Sequence, residues 1–191
     1  ATGLMVFYLV KAMGVRVTRD MAINLYTAIA VDTGTFRYSN TSPEVLRASA
    51  ELVEAGANPA AISECLYERW EENRFDLLVM TLKNLEIKSD VAAMHVTKDM
   101  LEKTGTKPED TENFSNLPRM IKSVKIAALF RDMGNGFWKV SLRSKGNVNV
   151  AKIAELYGGG GHMNAAGFKT NGSLKSAKEK LLLAVKKSDM D

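Results

Sequence analysis

Two stretches hold residue types that suit phosphate or metal chemistry. In the first, Tyr157, four glycines (Gly158, Gly159, Gly160 and Gly161) and His162 run together, followed after two residues by Ala165-Ala166-Gly167-Phe168. Each glycine loses more backbone freedom on folding than any other residue. A chain keeps such a run where side chains would obstruct the close approach of another backbone or of a ligand. The small trio Ala165, Ala166 and Gly167 would let a short helix or turn pack tightly. Successive glycine N–H groups can form a concave nest for an anion, and a following helix N-terminus would add its partial positive charge. His162 then stands at the rim as a hydrogen-bond donor. A flexible loop with a surface histidine is the plainer alternative. The glycine run, the histidine and Ala-Ala-Gly in one stretch favour a phosphate or ribose-phosphate site. The second stretch is Asp32-Thr33-Gly34-Thr35-Phe36, with Arg37, Ser39 and Thr41 close behind. A carboxylate between an apolar helix and a glycine is often a turn residue. It also suits a hard cation such as Mg²⁺ or Mn²⁺, which takes carboxylate oxygens. Spacing alone favours the turn.

The elements around these stretches follow from periodicity. Leu4, Phe7, Tyr8, Val10 and Met13 predict a helix ending at Gly14. Thr18 caps a second one whose buried side is Met21, Ile23, Leu25, Tyr26, Ala28 and Ile29, and this helix delivers Asp32. Ser42-Pro43 opens a third, with Val45, Leu46, Leu52 and Val53 as its stripe and small Ser49 between the pairs. Asn58-Pro59 opens a short fourth helix through Ile62, Cys65 and Leu66. Phe75 to Ile87 is helical again and is expected to bridge two lobes. Beyond it the texture changes to strand at Val91–Val96, a capped helix from Thr97 to Gly105, and a loop over Asp110–Asn116 leading into a helix toward Ile121. Val124–Arg131 and Phe137–Ser144 read as paired strands, joined by hairpin chemistry at Met133–Gly136. Val150–Tyr157 is a helix that the glycines stop. The fold class is therefore α/β: a mostly helical lobe over 1–72, a bridging helix over 73–89, and a mixed-sheet lobe over 90–191.

Composition excludes several classes. At 191 residues, 46% apolar and 25% charged, this is a soluble globular chain. Leu4–Val10 is too short for a membrane span and lacks the basic flank and cleavage site of a signal peptide. The single cysteine, Cys65, precludes an internal disulfide and fits a reducing cytoplasm. No basic cluster surrounds it, which predicts a buried, inert thiol. The net charge of +4 permits an anionic partner without demanding one. The densest basic group, Lys175 to Lys187, reads as the solvated face of the last helix, so no duplex DNA partner is suggested. His95, in an apolar strand, is expected to be a satisfied core histidine. Ala1 falls in mid-helix, which implies that the protein starts upstream.

The combination of Asp32-Thr-Gly-Thr-Phe-Arg37, Ser141-Leu-Arg143-Ser144 and the Gly158–Phe168 signature resembles the DHH phosphoesterase superfamily. The likeness runs over essentially the whole chain and is nearest to small bacterial enzymes that degrade very short RNAs and dephosphorylate 3′-phosphoadenosine 5′-phosphate (pAp). The resemblance implies a catalytic domain with two divalent metals, usually Mn²⁺ with Mg²⁺ as a substitute, and an associated domain that binds substrate. By resemblance, Asp32 matches the last metal-binding aspartate and is the one catalytic residue. Gly158, Gly159, Gly160, Gly161, His162, Arg143, Ser144 and Arg37 match substrate-binding positions. The Asp110–Asn116 loop matches the mouth of that site. The Asp-His-His motif is absent, and only His95 and His162 occur. A two-metal site needs several carboxylates and imidazoles, so the chain reads as the C-terminal part of such an enzyme, inactive alone. Expected partners are short single-stranded RNA or a nucleotide, with no membrane and with room for a homodimer. Phe36, Tyr38 and Phe168 are candidates for base stacking or for core. Within the same superfamily a cyclic dinucleotide, single-stranded DNA or polyphosphate substrate stays open. So does a non-catalytic nucleotide-binding module.

Overall fold

Polar caps set the first helices. The side chains of Thr18, Ser42 and Asn58 accept backbone N–H groups at 3.0–3.3 Å, each such cap stabilising its helix by about 1 kcal/mol. The computed structural model describes residues 2–188 and clusters into two units, Ala1–Trp70 and Glu71–Asp191. Ala1 and the side chain of Lys187 lie outside the described residues. The first unit is helical: α1 (Thr2–Ala12), α2 (Arg19–Asp32), α3 (Pro43–Glu54) and α4 (Pro59–Tyr67). Phe7, Leu25, Ile29, Val45, Leu52 and Ile62 form its core. The core stripe of α3 is Val45, Ala48, Ser49 and Leu52. Leu46 and Val53, expected inside, stand one step around the helix and are exposed, as are Tyr8 of α1 and Met13 just after it. Cys65 is also exposed, against expectation. The short α4 buries only Ile62, and Cys65 falls on its outer flank.

The second unit contains α5 (Glu72–Lys83), β1 (Glu86–Lys88), β2 (Val91–Val96), α6 (Lys98–Thr104), β3 (Ile126–Gly134), β4 (Phe137–Ser144), α7 (Val150–Glu155), β5 (Gly160–His162), β6 (Ala165–Asn171) and α8 (Leu174–Ser188). The strands form one mixed sheet in the order β1-β2-β3-β4-β6-β5, parallel only between β2 and β3. The Asn135-Gly136 turn, both residues at positive φ, joins β3 to β4. The helix expected over Phe75–Ile87 stops at Lys83, and Ile87 lies in β1. Asn84 accounts for the stop: its side chain exchanges two hydrogen bonds with the His95 backbone, at 2.8 and 2.9 Å. That pins the chain to β2, and α5 clusters with the second unit rather than standing apart. The helix expected toward Ile121 is a 3₁₀ turn, Pro118–Met120, the last of three such turns after Pro108–Thr111 and Phe114–Asn116.

One face of this sheet is the core. Ile126, Ala128, Phe130, Val140, Leu142 and Phe168 pack there with Val150 and Ile153 of α7 and Leu181 of α8. On the other face, α5 and the Phe114–Asn116 turn cover β2 and β3, where Met94, Val96 and Leu129 are buried. Toward β6 and β5 this second face opens, with Lys169, Gly160 and His162 exposed.

Candidate functional site

Residues directly opposite in a sheet share a face, so the register alone lays out the open side in rows. The first row is Ala127–Arg143–Ala165–His162, across β3, β4, β6 and β5. The second is Leu129–Ser141–Gly167–Gly160. The third is Arg131–Lys139–Lys169. Successive rows are about 6.8 Å apart, and Arg143 and His162, two strands apart, are separated by roughly 10 Å at the backbone. Between them lie only Ala165 and glycines, a flat floor that leaves room for a ligand. A groove of about 300 Å³ continues the site toward the 3₁₀ turns. It is lined by Arg131, Lys139, Ser141 and Arg143 from the sheet and by Glu109 and Glu112 from the loop. The Arg143 guanidinium is oriented by donating through Nη1 to the Leu142 carbonyl at 2.9 Å.

The glycine run is not the expected nest in front of a helix. Gly158, at φ +70°, ends α7, and the N–H groups of Gly158 and Gly159 donate back to Glu155 and Ala154 at 3.1 and 3.0 Å. The chain then becomes edge strand β5, and Ala165-Ala166-Gly167 lies in β6 rather than opening a helix. The physical reason is close packing. A Cβ on Gly159 would sit 2.2 Å from the Gly167 carbonyl oxygen, and one on Gly161 would sit 2.5 Å from that of Ala165. A Cβ on Gly160 would meet nothing within 4 Å. Gly159 and Gly161 therefore permit strand contact, whereas Gly160 keeps the floor low. The anion-binding role expected of Gly158 and Gly159 has no N–H groups to serve it, because theirs are already engaged.

Ser144 is turned away from this face. It is 2% exposed, its hydroxyl donates to the Val148 carbonyl at 2.6 Å, and it accepts from Asn164 at 2.9 Å. Its place is to tie the end of β4 to the loop after it. Phe168 stacks on Tyr157 in the core, with ring centroids 4.7 Å apart. Phe36 packs edge-on against Tyr26, and Tyr38 is partly exposed. His95 is half-buried with Nδ1 unpartnered. Burial lowers its pKa below the ordinary 6.5, the Lys178 charge lowers it further, and Glu86 opposes them.

In the first unit, Asp32 is the exposed last residue of α2, and its carboxylate accepts from Asn40 at 2.9 Å. Gly34, Thr35 and Phe36 follow at φ +57°, +58° and +61°, a left-handed turn costing about 1–2 kcal/mol per non-glycine residue. The Thr33 hydroxyl, donating to Ile29 and accepting the Phe36 N–H, holds the turn together with Arg37, whose Nε donates to the Gly34 carbonyl at 2.7 Å. Among the described residues no group of three His, Cys, Asp or Glu is placed to hold a metal. One carboxylate supplies too few donors for a divalent cation. The residues present do not fit a two-metal centre, and no metal-dependent step follows from them. Sequence reasoning missed Arg131, Lys139, Ser141 and Lys169. Alternate basic residues in β4 were a readable signal, but their alignment with β3 and β6 depends on register.

The DHHA1 domain family matches residues 76–188. The chain is 36% identical over 187 residues to the bifunctional oligoribonuclease and PAP phosphatase NrnA of Thermus thermophilus, covering 97% of this chain and 56% of that protein. The protein of the same name in Bacillus subtilis is 28% identical over 158 residues, covering 82% of this chain and 50% of that one. The crystal structure of an exopolyphosphatase-related protein from Bacteroides fragilis superposes with a TM-score of 0.91 at 30% identity, over 98% of this chain and 56% of that one. The chain thus spans about half the length of the curated relatives it matches.

Proposed function

This chain belongs to the DHHA1 domain family, and from that premise we propose that it is the substrate-holding part of a phosphoesterase hydrolysing short oligoribonucleotides and pAp. The observation that carries this reading is the row in which Arg143 and His162 flank Ala165, beside Gly167 and Gly160 of the next row. A guanidinium offers a planar fork of donors suited to phosphate. The imidazole on the far side donates one hydrogen bond when neutral and binds an anion more strongly when charged. A side-chain-free floor between them lets a ribose lie flat on the sheet. The names of the Thermus and Bacillus relatives support the substrate class.

Hydrolysis in this reading would need divalent ions, Mn²⁺ or Mg²⁺, toward which Asp32 offers one carboxylate, too few donors to hold such an ion by itself. Arg37 and the Asp110–Asn116 loop are the remaining candidates for substrate contact. The protein acts in the cytoplasm, consistent with its lone cysteine, on single-stranded RNA or nucleotides rather than duplex DNA.

The test is calorimetric titration of the 191-residue chain with pAp, adenosine and inorganic polyphosphate, alongside a turnover assay with Mn²⁺ and a labelled dinucleotide. Binding of pAp without adenosine, and no turnover, is expected. Preference for polyphosphate over pAp would replace the substrate class. Robust cleavage by this chain alone would overturn its assignment as a binding part only.

A further inference from the structure

The third row of the open face has no role in holding a single nucleotide between Arg143 and His162. Arg131 and Lys139 are direct cross-strand neighbours, as are Lys139 and Lys169. Like charges directly opposite in a sheet are destabilising. Among the described residues none of the three forms an ion pair or side-chain hydrogen bond that would offset this. Lysines on an exposed strand edge can be explained as protection against edge-to-edge pairing, and Lys169 lies where β6 has no outer neighbour. That explanation fails for Lys139, because β4 is flanked by β3 and β6 at that level. The nearby carboxylates of Glu109 and Glu112 line the groove on its loop side and repel phosphate there, leaving the β4–β6 side for an anionic chain.

We propose that Arg131, Lys139 and Lys169 form a second phosphate subsite, which takes an internucleotide phosphate of an RNA whose first phosphate is held at Arg143 and His162. The inference rests on the reading above of a nucleotide site in the first row. Lys139 lies four residues along β4 from Arg143, about 13 Å at the backbone. Two phosphates on one nucleoside are linked by six single bonds, which reach no more than about 8 Å. A single pAp anchored in the first row therefore leaves the third row vacant, and a longer strand laid across the face fills it. The intermediate row, Ser141–Gly167–Gly160, bears no charge and lets the strand pass. The subsite makes the open face a length gauge, favouring oligonucleotides over the nucleoside bisphosphate.

The whole chain and its K139Q/K169Q variant are titrated with a five-nucleotide RNA and with pAp over a range of salt concentrations. Losing this one phosphate contact should lower the slope of log affinity against log salt for the RNA by about 0.7. RNA affinity should fall roughly tenfold at low salt, with pAp affinity unchanged and with K139R/K169R restoring RNA binding. Relief of like-charge repulsion should leave the melting temperature of the variant equal or higher, which separates lost binding from lost folding. An unchanged RNA affinity and slope overturns the subsite while leaving the nucleotide site intact. Equal losses for pAp and RNA overturn it too, by merging the two sites. Failure of the unmodified chain to bind either ligand overturns the nucleotide reading and the subsite with it.

Discussion

The open sheet face and the Asp32 turn invest in function differently. The face draws donors from four strands, β3, β4, β6 and β5, and holds them in rows by register, so no single local sequence builds it. The turn is wholly local: one helix end, three left-handed residues and a few hydrogen bonds between Ile29 and Asn40 present a single carboxylate. A binding surface can be finished within one sheet because phosphate needs only donors and room. A divalent metal needs several ligands converging on one point, which a lone turn does not supply. The contrast teaches that a face spread over four strands can align several donors, whereas one local turn presents a single carboxylate.

The comparison breaks most visibly at the glycines. Gly159→Ala should destabilise the second unit by about 3 kcal/mol, the upper part of the range for overpacking, because its Cβ would collide with the Gly167 carbonyl and Phe168. Gly160→Ala should leave the denaturation midpoint within error and act only on ligand binding. Equal stabilities of the two variants in urea would sink the division of the run into contact and floor positions.

A sharper and smaller contrast sets Arg143→Ala against Asp32→Ala. Losing a charged hydrogen-bond donor should cost pAp binding about 1.5–3 kcal/mol, or roughly tenfold to a hundredfold. Asp32→Ala should leave pAp affinity for this chain unchanged in the absence of metal. A matching loss in both variants, read by calorimetry, would mean that the carboxylate's turn takes part in binding after all.

The smallest effect belongs to His95. Its folded pKa lies below the unfolded 6.5, so at acidic pH the unfolded chain binds a proton that the folded chain resists. Stability should therefore decline as pH falls from about 7 through 6.5 toward the lowered folded value, and level off beneath it. His95→Gln should flatten that part of the pH–stability curve, and thermal melts from pH 7.5 to 5 will show whether it does.

Much of this could be read in the chain itself. Thr18, Ser42, Asn58 and Thr97 announce their helices because a cap is a contact over three residues. Asn135-Gly136 announces its hairpin for the same reason. The Gly158–Gly161 run stood out as a place of close backbone approach, and the contacts that a Cβ on Gly159 or Gly161 would make bear that out. What stayed hidden depended on distant partners. Asn84 ends α5 only because it meets the His95 backbone 11 positions on. Ala165 begins a strand rather than a helix only because β4 offers it an antiparallel neighbour. Ser144 and Arg143 are adjacent in sequence, yet the two-residue period of the strand sends one hydroxyl into the packed side and one guanidinium to the open face. Residue type determined that cationic and hydroxyl side chains of a kind suited to phosphate exist in this protein. Tertiary register decided which of them share a surface, because it aligns β4 with β6, whose paired residues such as Arg143 and Ala165 lie far apart in the chain.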